Sequence, residues 1–337
     1  MPAVFVSHPS DKLEHYYGAR AIAALQAIAE VRFNTEPREL STDELVAAAR
    51  GCDYLVAYRQ TPGPDELFRT WPTLRAFLRC AMDIRTVDVA AASAHGVLVT
   101  RASAGFVPAV AEWIVAMMVN LARDLVAHVE AAHRDAPPTQ RMGRQLHGST
   151  LGVIGLGRIG RHLAAVAAAL GMRVLASDPQ PAGPEANVRL VPLPELLSSS
   201  DFVVCLAPAQ ADTANLMDAA AFAAMRRGAF FVNAARGELV DDAALLAALD
   251  SGHLGGCALD VGRAPDQMPA PELARHPRVI ATPHVGGLTQ PAIEHQALET
   301  VEQLKSLLEG TMPPGAVNPA DAHRWRRWRD RQHTSRA

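Results

Sequence analysis

Long apolar runs, clustered cysteines and a surplus of positive charge are all missing from this sequence of 337 residues. No apolar run reaches the roughly 18 residues that a membrane-spanning helix needs, and residues 1–6 lack the basic and long apolar regions of a signal peptide. The cysteines are far apart, which excludes a CxxC zinc site or a disulfide framework and favours reduced thiols. They are Cys52, Cys80, Cys205 and Cys257. We therefore expect a cytoplasmic protein with neither a membrane partner nor a bound metal.

Charge is nearly balanced, and lysine is almost missing. The chain has 32 lysine and arginine residues against 35 aspartate and glutamate residues, a formal net charge of -3, and its lysines are Lys12 and Lys305. This balance argues against nucleic acid as the main partner. A basic and aromatic run at residues 324–329 is typical of nucleic-acid contacts. Because the run is short and terminal, we interpret it as a solvated tail or a contact with a partner.

The sequence does contain a strand that runs into a glycine-rich turn. The apolar residues 151–154 precede Gly155, Gly157 and Gly160, and an alanine-rich helical run follows. Each glycine has a physical reason: Gly155 permits a tight turn, Gly157 lets a diphosphate approach the backbone, and Gly160 lets helix and strand pack closely. This pattern of strand, turn and helix predicts a dinucleotide-binding site.

The other parts of such a site follow in the expected order. Arg158 and Ile159 open the helix, where free backbone N–H groups would bind the diphosphate. A second strand, residues 173–177, ends before Asp178, about 20 residues after the glycines. The Asp178 carboxylate would accept hydrogen bonds from both hydroxyl groups of the adenosine ribose and would repel a 2′-phosphate. We therefore predict NAD as the cofactor rather than NADP.

Strands and helices alternate through most of the chain. The first short apolar strands are predicted at residues 3–7, 31–33, 54–58, 74–78 and 97–100. Helices are predicted between them, and one begins with a capping box formed by Ser41 and Glu44. A second alternating series covers residues 101–288, and an amphipathic helix covers residues 289–310. This alternation predicts an α/β protein with doubly wound parallel sheets.

Residues 107–130 form a long helical run whose first half is apolar on nearly every face. Its large apolar side chains include Val110, Trp113, Ile114, Met117 and Met118. A helix of this kind is buried, either in a domain core or in a contact between subunits. We favour a homodimer contact, because few helices this apolar remain inside one small domain.

Three residues with reactive side chains follow predicted strands of the second series, at the sheet edge where open α/β sheets bind ligands. Arg236 offers two parallel donors to a carboxylate, although an isolated arginine is more often a surface or capping residue. Asp260 would accept a hydrogen bond from a nicotinamide amide, or would form a turn or a helix cap. His284 lies between a proline and two glycines, and an ordinary pKa of about 6.5 suits it to donate or accept a proton.

The motifs taken together resemble a known family. The glycine-rich strand and residues 233–237, 259–261 and 282–287 occur in the order and spacing of the D-isomer-specific 2-hydroxyacid dehydrogenases. The resemblance covers about residues 50–310 and is strongest over residues 143–300. Because several independent motifs agree, the resemblance is specific.

The resemblance implies a domain organisation. A Rossmann NAD domain at residues 101–288 would be inserted into a flavodoxin-like substrate domain, which residues 1–100 and 289–337 would form together. The NAD domain would also form the homodimer, in agreement with its apolar helical run.

The resemblance also implies roles for single residues. Arg236 would hold the carboxylate and carbonyl groups of the substrate. His284 would donate a proton to the carbonyl oxygen as hydride reaches the carbon, and Asp260 would face the nicotinamide. Further cofactor contacts are expected at Pro208, Thr213, Ala234, Gly286 and Gly287.

One departure from the family pattern concerns the partner of the histidine. The family has a glutamate that pairs with the histidine, five residues after the position of Asp260, and Pro265 stands there in this chain. Asp266 is the next residue, and we assign it the orienting role although its side chain is one methylene shorter. Without an anionic partner, His284 would lack an interaction that raises its pKa.

Two further departures concern loops. Residues 80–85 read Cys-Ala-Met-Asp-Ile-Arg, where the family usually has glycines whose N–H groups bind the substrate carboxylate. Asp83 is an unfavourable neighbour for a carboxylate and Arg85 a favourable one. Leu206 stands two residues before Pro208, where a polar residue is common. We expect either a differently shaped loop or a different substrate.

Three hypotheses about function follow. The leading one is a cytoplasmic, NAD-dependent reductase of 2-oxo acids that forms D-2-hydroxy acids, with Arg236 as substrate clamp, His284 as acid–base and Asp266 as its partner. The second is an NAD(H)-binding sensor on the same scaffold with little or no turnover. The third keeps the reaction class but changes the substrate to a bulky acid or a compound without a carboxylate. Replacing His284 separates the first two, because only a dehydrogenase would lose turnover.

Overall fold

The computed structural model describes residues 2–134, 137, 139–181, 183, 185–264 and 267–334. The chain forms two compact units, one made of Met1–Gly105 with Gln290–Ala337 and the other of Phe106–Thr289. Each unit contains a parallel sheet with helices, so the predicted α/β class with two parallel sheets is confirmed. None of the helices described in either unit is both long enough and apolar enough to cross a bilayer.

The first unit is organised around a five-stranded parallel sheet. Its strands are β1 (Ala3–Val6), β2 (Glu30–Phe33), β3 (Tyr54–Ala57), β4 (Ala76–Arg79) and β5 (Leu98–Arg101). They lie in the order β2-β1-β3-β4-β5, which is the flavodoxin-like order with a switch point between β1 and β3. Every residue of β1, β3 and β4 is buried, as expected for strands with helices on both faces.

Both ends of the chain supply helices to the first unit. They are α1 (Leu13–Tyr16), α2 (Ala19–Ile28), α3 (Thr42–Ala48), α4 (Asp65–Thr70), α5 (Val89–Ala94), α13 (Gln290–Leu308) and α14 (His323–Thr334). The predicted capping box is confirmed at α3, where Ser41 and Glu44 each accept a hydrogen bond from the other's N–H group. Helix α13 packs against α2 and β4, so the returning chain completes the unit that the first hundred residues begin.

The basic and aromatic segment 324–329 is not the solvated or partner-directed tail that we predict from the sequence. It lies in α14, and Trp325 is 1% exposed, packed in the core of the first unit. Trp325 Nε1 donates to the Leu307 carbonyl oxygen at 3.0 Å, and Arg324 donates to the Trp71 carbonyl oxygen at 2.7 Å. The prediction is wrong because the arginines dominate the composition of the segment, while Trp325 and Trp328 pack against the core.

The second unit has a seven-stranded parallel sheet among its described residues. Its strands are β6 (Thr150–Ile154), β7 (Arg173–Ser177), β8 (Val188–Leu190), β9 (Phe202–Cys205), β10 (Phe230–Asn233), β11 (Gly256–Leu259) and β12 (Val279–Ala281). The sheet order is β12-β11-β10-β9-β6-β7-β8, so the chain starts in the middle, fills one side and then returns to fill the other. This is the Rossmann order extended by β12, and the doubly wound prediction is confirmed.

The helices of the second unit differ from the prediction in the first helical run. They are α6 (Val107–Arg123), α7 (Leu125–His133), α8 (Arg158–Ala169), α9 (Leu193–Ser199), α10 (Ala219–Ala224), α11 (Asp242–Asp250) and α12 (Pro271–Ala274). The single helix predicted over residues 107–130 is wrong, because Asp124 adopts a left-handed conformation with φ of 53° and separates α6 from α7. Aspartate tolerates this conformation better than most residues. Helix α6 packs against α8, β10 and β11, so part of its apolar surface lies in the core of its own unit.

The cysteines are buried free thiols. This holds for Cys52, Cys80, Cys205 and Cys257. Burial raises the pKa of the Cys80 and Cys205 thiols to about 12, so both are protonated at neutral pH and are poor nucleophiles. Within the described parts of the chain, no group of three or more His, Cys, Asp or Glu side chains is placed to hold a metal ion.

Candidate active site

The predicted site residues that the structure describes share one edge of the second sheet, because its strands end level with one another. Pairing places the last residues of β6, β9, β10, β11 and β12 side by side: Ile154, Cys205, Asn233, Leu259 and Ala281. Ser177 of β7 continues the same row beside Ile154. With neighbouring strands about 4.8 Å apart, the row from β7 to β11 is about 19 Å long. The loops from Asp178 to His284 therefore begin along one line.

The glycine-rich turn after β6 combines close packing with open space. Gly155 has φ of +94°, and a Cβ added there would lie 2.7 Å from the Ala207 nitrogen. A Cβ added at Gly160 would lie 2.4 Å from the Gly155 carbonyl oxygen. At Gly157, by contrast, no described atom lies within 4 Å of an added Cβ. The first and third glycines are therefore needed for the fold, and the second leaves space beside the start of α8.

Helix α8 offers donors to an anion in that space. Gly157 is its N-cap and has no side chain to accept hydrogen bonds from the first N–H groups. The N–H groups of Arg158 and Ile159 have no acceptor within the helix, and the helix dipole places partial positive charge there. Open space, backbone donors and positive potential together fit the diphosphate of NAD.

Asp178 is bonded to the glycine-rich turn. Its Oδ2 accepts a hydrogen bond from the Leu156 N–H at 2.7 Å, and its Oδ1 accepts one from the Gln180 N–H at 2.8 Å. Each carboxylate oxygen can accept another hydrogen bond, so Asp178 retains capacity for ribose hydroxyl groups. Its contact with the ribose stays a prediction.

Pro208 and Thr213 belong to one loop after β9. Thr213 Oγ1 donates to the Pro208 carbonyl oxygen at 2.8 Å and accepts from the Gln210 N–H at 2.8 Å. The loop begins beside the glycine-rich turn, since the Leu206 N–H donates to the Ile154 carbonyl oxygen at 2.8 Å. Leu206, where a polar residue is common in the family, packs against the apolar core of the second unit. The two predicted cofactor contacts thus lie together at the same sheet edge, and their roles stay predictions.

Arg236 follows β10 in a loop that Asn233 holds. Asn233 is buried, its Oδ1 accepts from the Ala235 N–H at 3.0 Å, and its Nδ2 donates to the Arg236 carbonyl oxygen at 2.9 Å. Ala234 lies in the same loop, between Asn233 and Ala235, and Arg236 itself is half-buried. Asn233 is missing from the predicted site residues, although a buried polar residue that ends an apolar strand is itself a signal.

The Arg236 loop lies directly against the segment that follows β11. A Cβ added at Gly237 would lie 2.1 Å from the Gly262 carbonyl carbon and 2.4 Å from the Arg263 nitrogen. Arg263 Nε donates to the Val240 carbonyl oxygen at 3.0 Å. This hydrogen bond also joins the segment after β11 to the segment after β10. Only glycine permits so close an approach of two backbones, which brings the Arg236 loop beside the segment that begins with Asp260.

Asp260 binds the histidine loop on both sides of His284. It is 3% exposed. Its Oδ1 accepts hydrogen bonds from Thr282 Oγ1 at 2.6 Å and from the Val285 N–H at 2.8 Å, and its Oδ2 accepts one from the Gly286 N–H at 2.7 Å. A Cβ added at Gly286 would lie 2.8 Å from Asp260 Oδ2. Asp260 therefore holds this loop, while its contact with nicotinamide stays a prediction.

His284 has an unusual backbone conformation. Its φ is 55°, in the left-handed region, and its N–H donates to the Thr282 carbonyl oxygen at 3.0 Å. A non-glycine residue in this region costs about 1–3 kcal/mol, and such residues cluster at functional sites. Gly287, further along the loop, lies so close to Phe106 that an added Cβ would be 3.2 Å from the Phe106 Cβ. The strain at His284 supports a functional role for this residue.

Asp266, the predicted partner of His284, lies outside the described residues, as does Pro265. Its orienting role therefore stays a prediction. The flanking segments are described, and the Gly262 N–H donates to the Gln267 carbonyl oxygen at 2.8 Å.

The loop after β4 in the first unit carries an internal ion pair. Asp83 Oδ2 accepts hydrogen bonds from Arg85 Nε at 3.0 Å and from Arg85 Nη2 at 2.9 Å, and Asp83 Oδ1 accepts one from the Arg85 N–H at 2.9 Å. The sequence analysis treats Asp83 and Arg85 as separate charges, unfavourable and favourable toward a carboxylate. In the structure the two side chains pair, so each charge offsets the other. The pair of Asp83 and Arg85 therefore carries no net charge.

Two buried polar side chains of the first unit are not among the residues predicted from the sequence. Arg79 ends β4, where it donates to the Tyr58 carbonyl oxygen at 2.5 Å and to Thr86 Oγ1 at 2.7 Å, and burial lowers its pKa to about 10. His8 packs edge-on against Tyr17 and Tyr58, and burial lowers its pKa to about 3, so its imidazole is neutral at pH 7. His8 follows β1, which flanks the switch point of the first sheet, and Arg79 ends β4, which lies beside β3 on the other side of that point. Ligands bind near the switch point in such folds.

Comparison with known proteins identifies the family. Residues 115–286, about half of the chain, match the family model described as D-isomer specific 2-hydroxyacid dehydrogenase, NAD binding domain. The chain belongs to this family. The match lies within the second unit and includes the glycine-rich turn, Arg236, Asp260 and His284, and NAD is the cofactor of the matched domain.

Individual relatives agree with this family assignment. A D-3-phosphoglycerate dehydrogenase from Synechocystis sp. is 32% identical over 94% of the chain, and the chain spans only 56% of the length of that relative. The solved structure of the TT0316 protein from Thermus thermophilus is 30% identical with a TM-score of 0.82, covering 94% of this chain and 99% of that one. A D-lactate dehydrogenase from Aquifex aeolicus, complexed with NAD and lactic acid, is 25% identical with a TM-score of 0.74, covering 91% and 96% of the two chains.

Proposed function

We propose that this protein is an NAD-dependent oxidoreductase that interconverts 2-oxo acids and D-2-hydroxy acids. The observation that carries the proposal is the level row of strand ends, from which the loops of Gly155, Arg236 and His284 begin at one sheet edge. An NAD-binding turn, a carboxylate-binding arginine and a proton-transferring histidine are the groups that this reaction requires. Membership of the family supports the same reaction class.

Arg236 is the proposed substrate clamp. Its guanidinium can donate two parallel hydrogen bonds to a carboxylate, which fixes the orientation as well as the position of the substrate. The loop that carries it is held by Asn233 from one side and by the close approach at Gly237 from the other. A rigid loop suits a clamp, because little conformational freedom is lost when the substrate binds.

His284 is the proposed proton donor and acceptor. NAD, when bound, accepts or supplies the hydride at the substrate carbon. During reduction the carbonyl oxygen of the 2-oxo acid gains negative charge, and protonated His284 donates to that oxygen. During oxidation the neutral imidazole accepts the proton of the hydroxyl group. Asp266 remains the proposed partner of the imidazole.

The two units are proposed to have separate tasks. The match to the NAD-binding domain model lies within Phe106–Thr289, which supports cofactor binding by the second unit. The flavodoxin-like order of the first sheet supports substrate binding by the first unit, at the loops after β1, β3 and β4. Curated relatives are named D-3-phosphoglycerate dehydrogenase, so a phosphorylated 2-oxo acid is a candidate substrate beside lactate-like and bulkier acids.

A homodimer through α6 and α7 is part of the proposal. Apolar side chains on these helices remain in contact with water in the single chain. Val119, Leu125, Val126 and Val129 are 36%, 40%, 37% and 53% exposed. Exposed apolar patches of this kind mark contact surfaces. Light scattering should give twice the chain mass, and a monomer at micromolar concentration would contradict this part of the proposal.

The cytoplasm is the proposed location. All four cysteines are free thiols, which is typical of proteins that work in a reducing compartment. Fractionation of the native host should find the activity with cytoplasmic markers, and activity confined to another compartment would refute this assignment.

The test of the reaction is NADH oxidation against a panel of small, bulky and phosphorylated 2-oxo acids, with NADPH in parallel. We expect turnover with at least one acid and a preference for NADH. The His284→Gln variant should lose turnover while its dissociation constant for NADH stays within about twofold. Tight NADH binding without turnover across the panel would refute the proposal and would favour the NAD(H)-sensing alternative.

A further inference from the structure

The histidine loop contains a hydroxyl group that no part of the proposed chemistry uses. Thr282 follows β12, and its N–H donates to the Leu259 carbonyl oxygen at 2.9 Å, which continues the pairing of β11 and β12. Its Oγ1 lies 2.6 Å from Asp260 Oδ1. This distance is typical of a hydroxyl that donates to a charged carboxylate, which is among the stronger hydrogen bonds in proteins.

The same carboxylate oxygen binds the loop again after the histidine. Asp260 Oδ1 accepts from the Val285 N–H at 2.8 Å, and Oδ2 accepts from the Gly286 N–H at 2.7 Å. Thr282 and Val285 therefore converge on one oxygen atom, and His284 lies inside the closed loop between them. This arrangement explains how His284 is kept at φ of 55°, a conformation that the residue would otherwise leave.

We infer that Thr282 is a positioning residue, whose hydroxyl group acts through Asp260 to hold the backbone of His284 and thereby to direct the imidazole that transfers the proton. The catalytic consequence of this inference rests on the proposed function. Thr282 itself touches neither substrate nor cofactor in this scheme. The Thr282 hydroxyl group holds the loop to Asp260 before His284, and the N–H groups of Val285 and Gly286 hold it after His284.

The first experiment measures kinetics in two variants of Thr282. Thr282→Val removes the hydroxyl group and keeps the size of the side chain, while Thr282→Ser keeps the hydroxyl group. We expect kcat to fall at least tenfold in the valine variant, with KM for the 2-oxo acid and the dissociation constant for NADH within about twofold of the wild type. The serine variant should recover kcat to within about threefold. Thr311→Val, an exposed threonine whose Oγ1 donates to the Ser306 carbonyl oxygen in the other unit, is the matched control.

The second experiment does not depend on turnover. Hydrogen exchange measured by mass spectrometry on the peptide that covers residues 282–288 reports the N–H groups of Val285 and Gly286. Exchange there should be faster in Thr282→Val than in the wild type, and unchanged in Thr282→Ser and Thr311→Val. If the wild type turns over no 2-oxo acid, the proposed function fails, and the exchange experiment still decides whether Thr282 holds the loop.

Two results would overturn the inference. One is a valine variant with normal kcat and normal exchange, since the hydroxyl group would then hold nothing. The other is a loss of NADH affinity and melting temperature in the valine variant in proportion to the loss of kcat, because that pattern would assign Thr282 a general role in stability.

Discussion

Replacing Gly157 by alanine should separate cofactor binding from folding. Gly157 has φ of -74°, which alanine adopts readily, and no described atom lies within 4 Å of an added Cβ. Gly157 is also the N-cap of α8, where alanine is less favourable than glycine by roughly 0.5 kcal/mol. We therefore expect the free energy of unfolding to fall by no more than about 1 kcal/mol.

The same methyl group should weaken NADH binding strongly. A methyl carbon keeps other heavy atoms at about 3.5–4.0 Å, whereas an N–H group and a phosphate oxygen bond at about 2.9 Å. An added Cβ would therefore hold the diphosphate away from the N–H groups of Arg158 and Ile159. Loss of one charge-assisted hydrogen bond is worth about 1.5–3 kcal/mol, which predicts a dissociation constant for NADH that rises by between roughly tenfold and a hundredfold.

Gly160→Ala is the contrasting variant. Its added Cβ would lie 2.4 Å from the Gly155 carbonyl oxygen, so the backbone must move and the free energy of unfolding should fall by about 1–3 kcal/mol. Urea unfolding followed by circular dichroism measures stability, and titration calorimetry with NADH measures binding. The reasoning would be refuted if Gly157→Ala bound NADH like the wild type, or if it lost as much stability as Gly160→Ala.

Three further predictions follow from the structure. Trp325→Ala should lower the free energy of unfolding by about 3–5 kcal/mol in urea, and a loss below 1 kcal/mol would contradict the core position of α14. The pKa of His8 is lowered to about 3 in the folded chain, so below pH 6.5 the unfolded state binds more protons and stability is lost as pH falls. Between pH 6.5 and 5 this loss is about 2 kcal/mol, and it should vanish in His8→Phe; an unchanged pH slope would contradict the burial of His8. Asp178→Asn should reduce the preference for NADH over NADPH at least tenfold, measured as the ratio of dissociation constants, and an unchanged ratio would remove Asp178 from the ribose site.

The residues that could be predicted from the sequence are those whose type is unusual at the end of an apolar strand. Gly155, Asp178, Arg236 and His284 follow the apolar strands β6, β7, β10 and β12, so the apolar pattern alone places them at the carboxyl edge of a parallel sheet. The alternation of short strands and helices predicts the doubly wound class for the same reason. Local pattern suffices in these cases because the edge of the sheet is defined by where each strand ends.

The misjudged elements depend on features that the apolar pattern of a segment does not contain. The break at Asp124 is a left-handed backbone conformation, and it leaves the apolar periodicity of residues 107–130 intact. Helix α14 looks solvated from its arginines, yet Trp325 lies among core side chains from distant parts of the chain. The error at α14 comes from judging a segment by its own composition when its partners lie elsewhere.

Asp260 shows the same limit inside the candidate site. From the sequence, a nicotinamide contact and a local turn or cap are equally reasonable roles, because both need an acid after a strand. In the structure its carboxylate binds donors 22, 25 and 26 residues further along the chain. These partners come within reach only because β11 and β12 end level with each other. Candidates for the chemistry can thus be chosen by residue type, whereas the residues that hold those candidates in place depend on the register of the sheet, which only the assembled fold supplies.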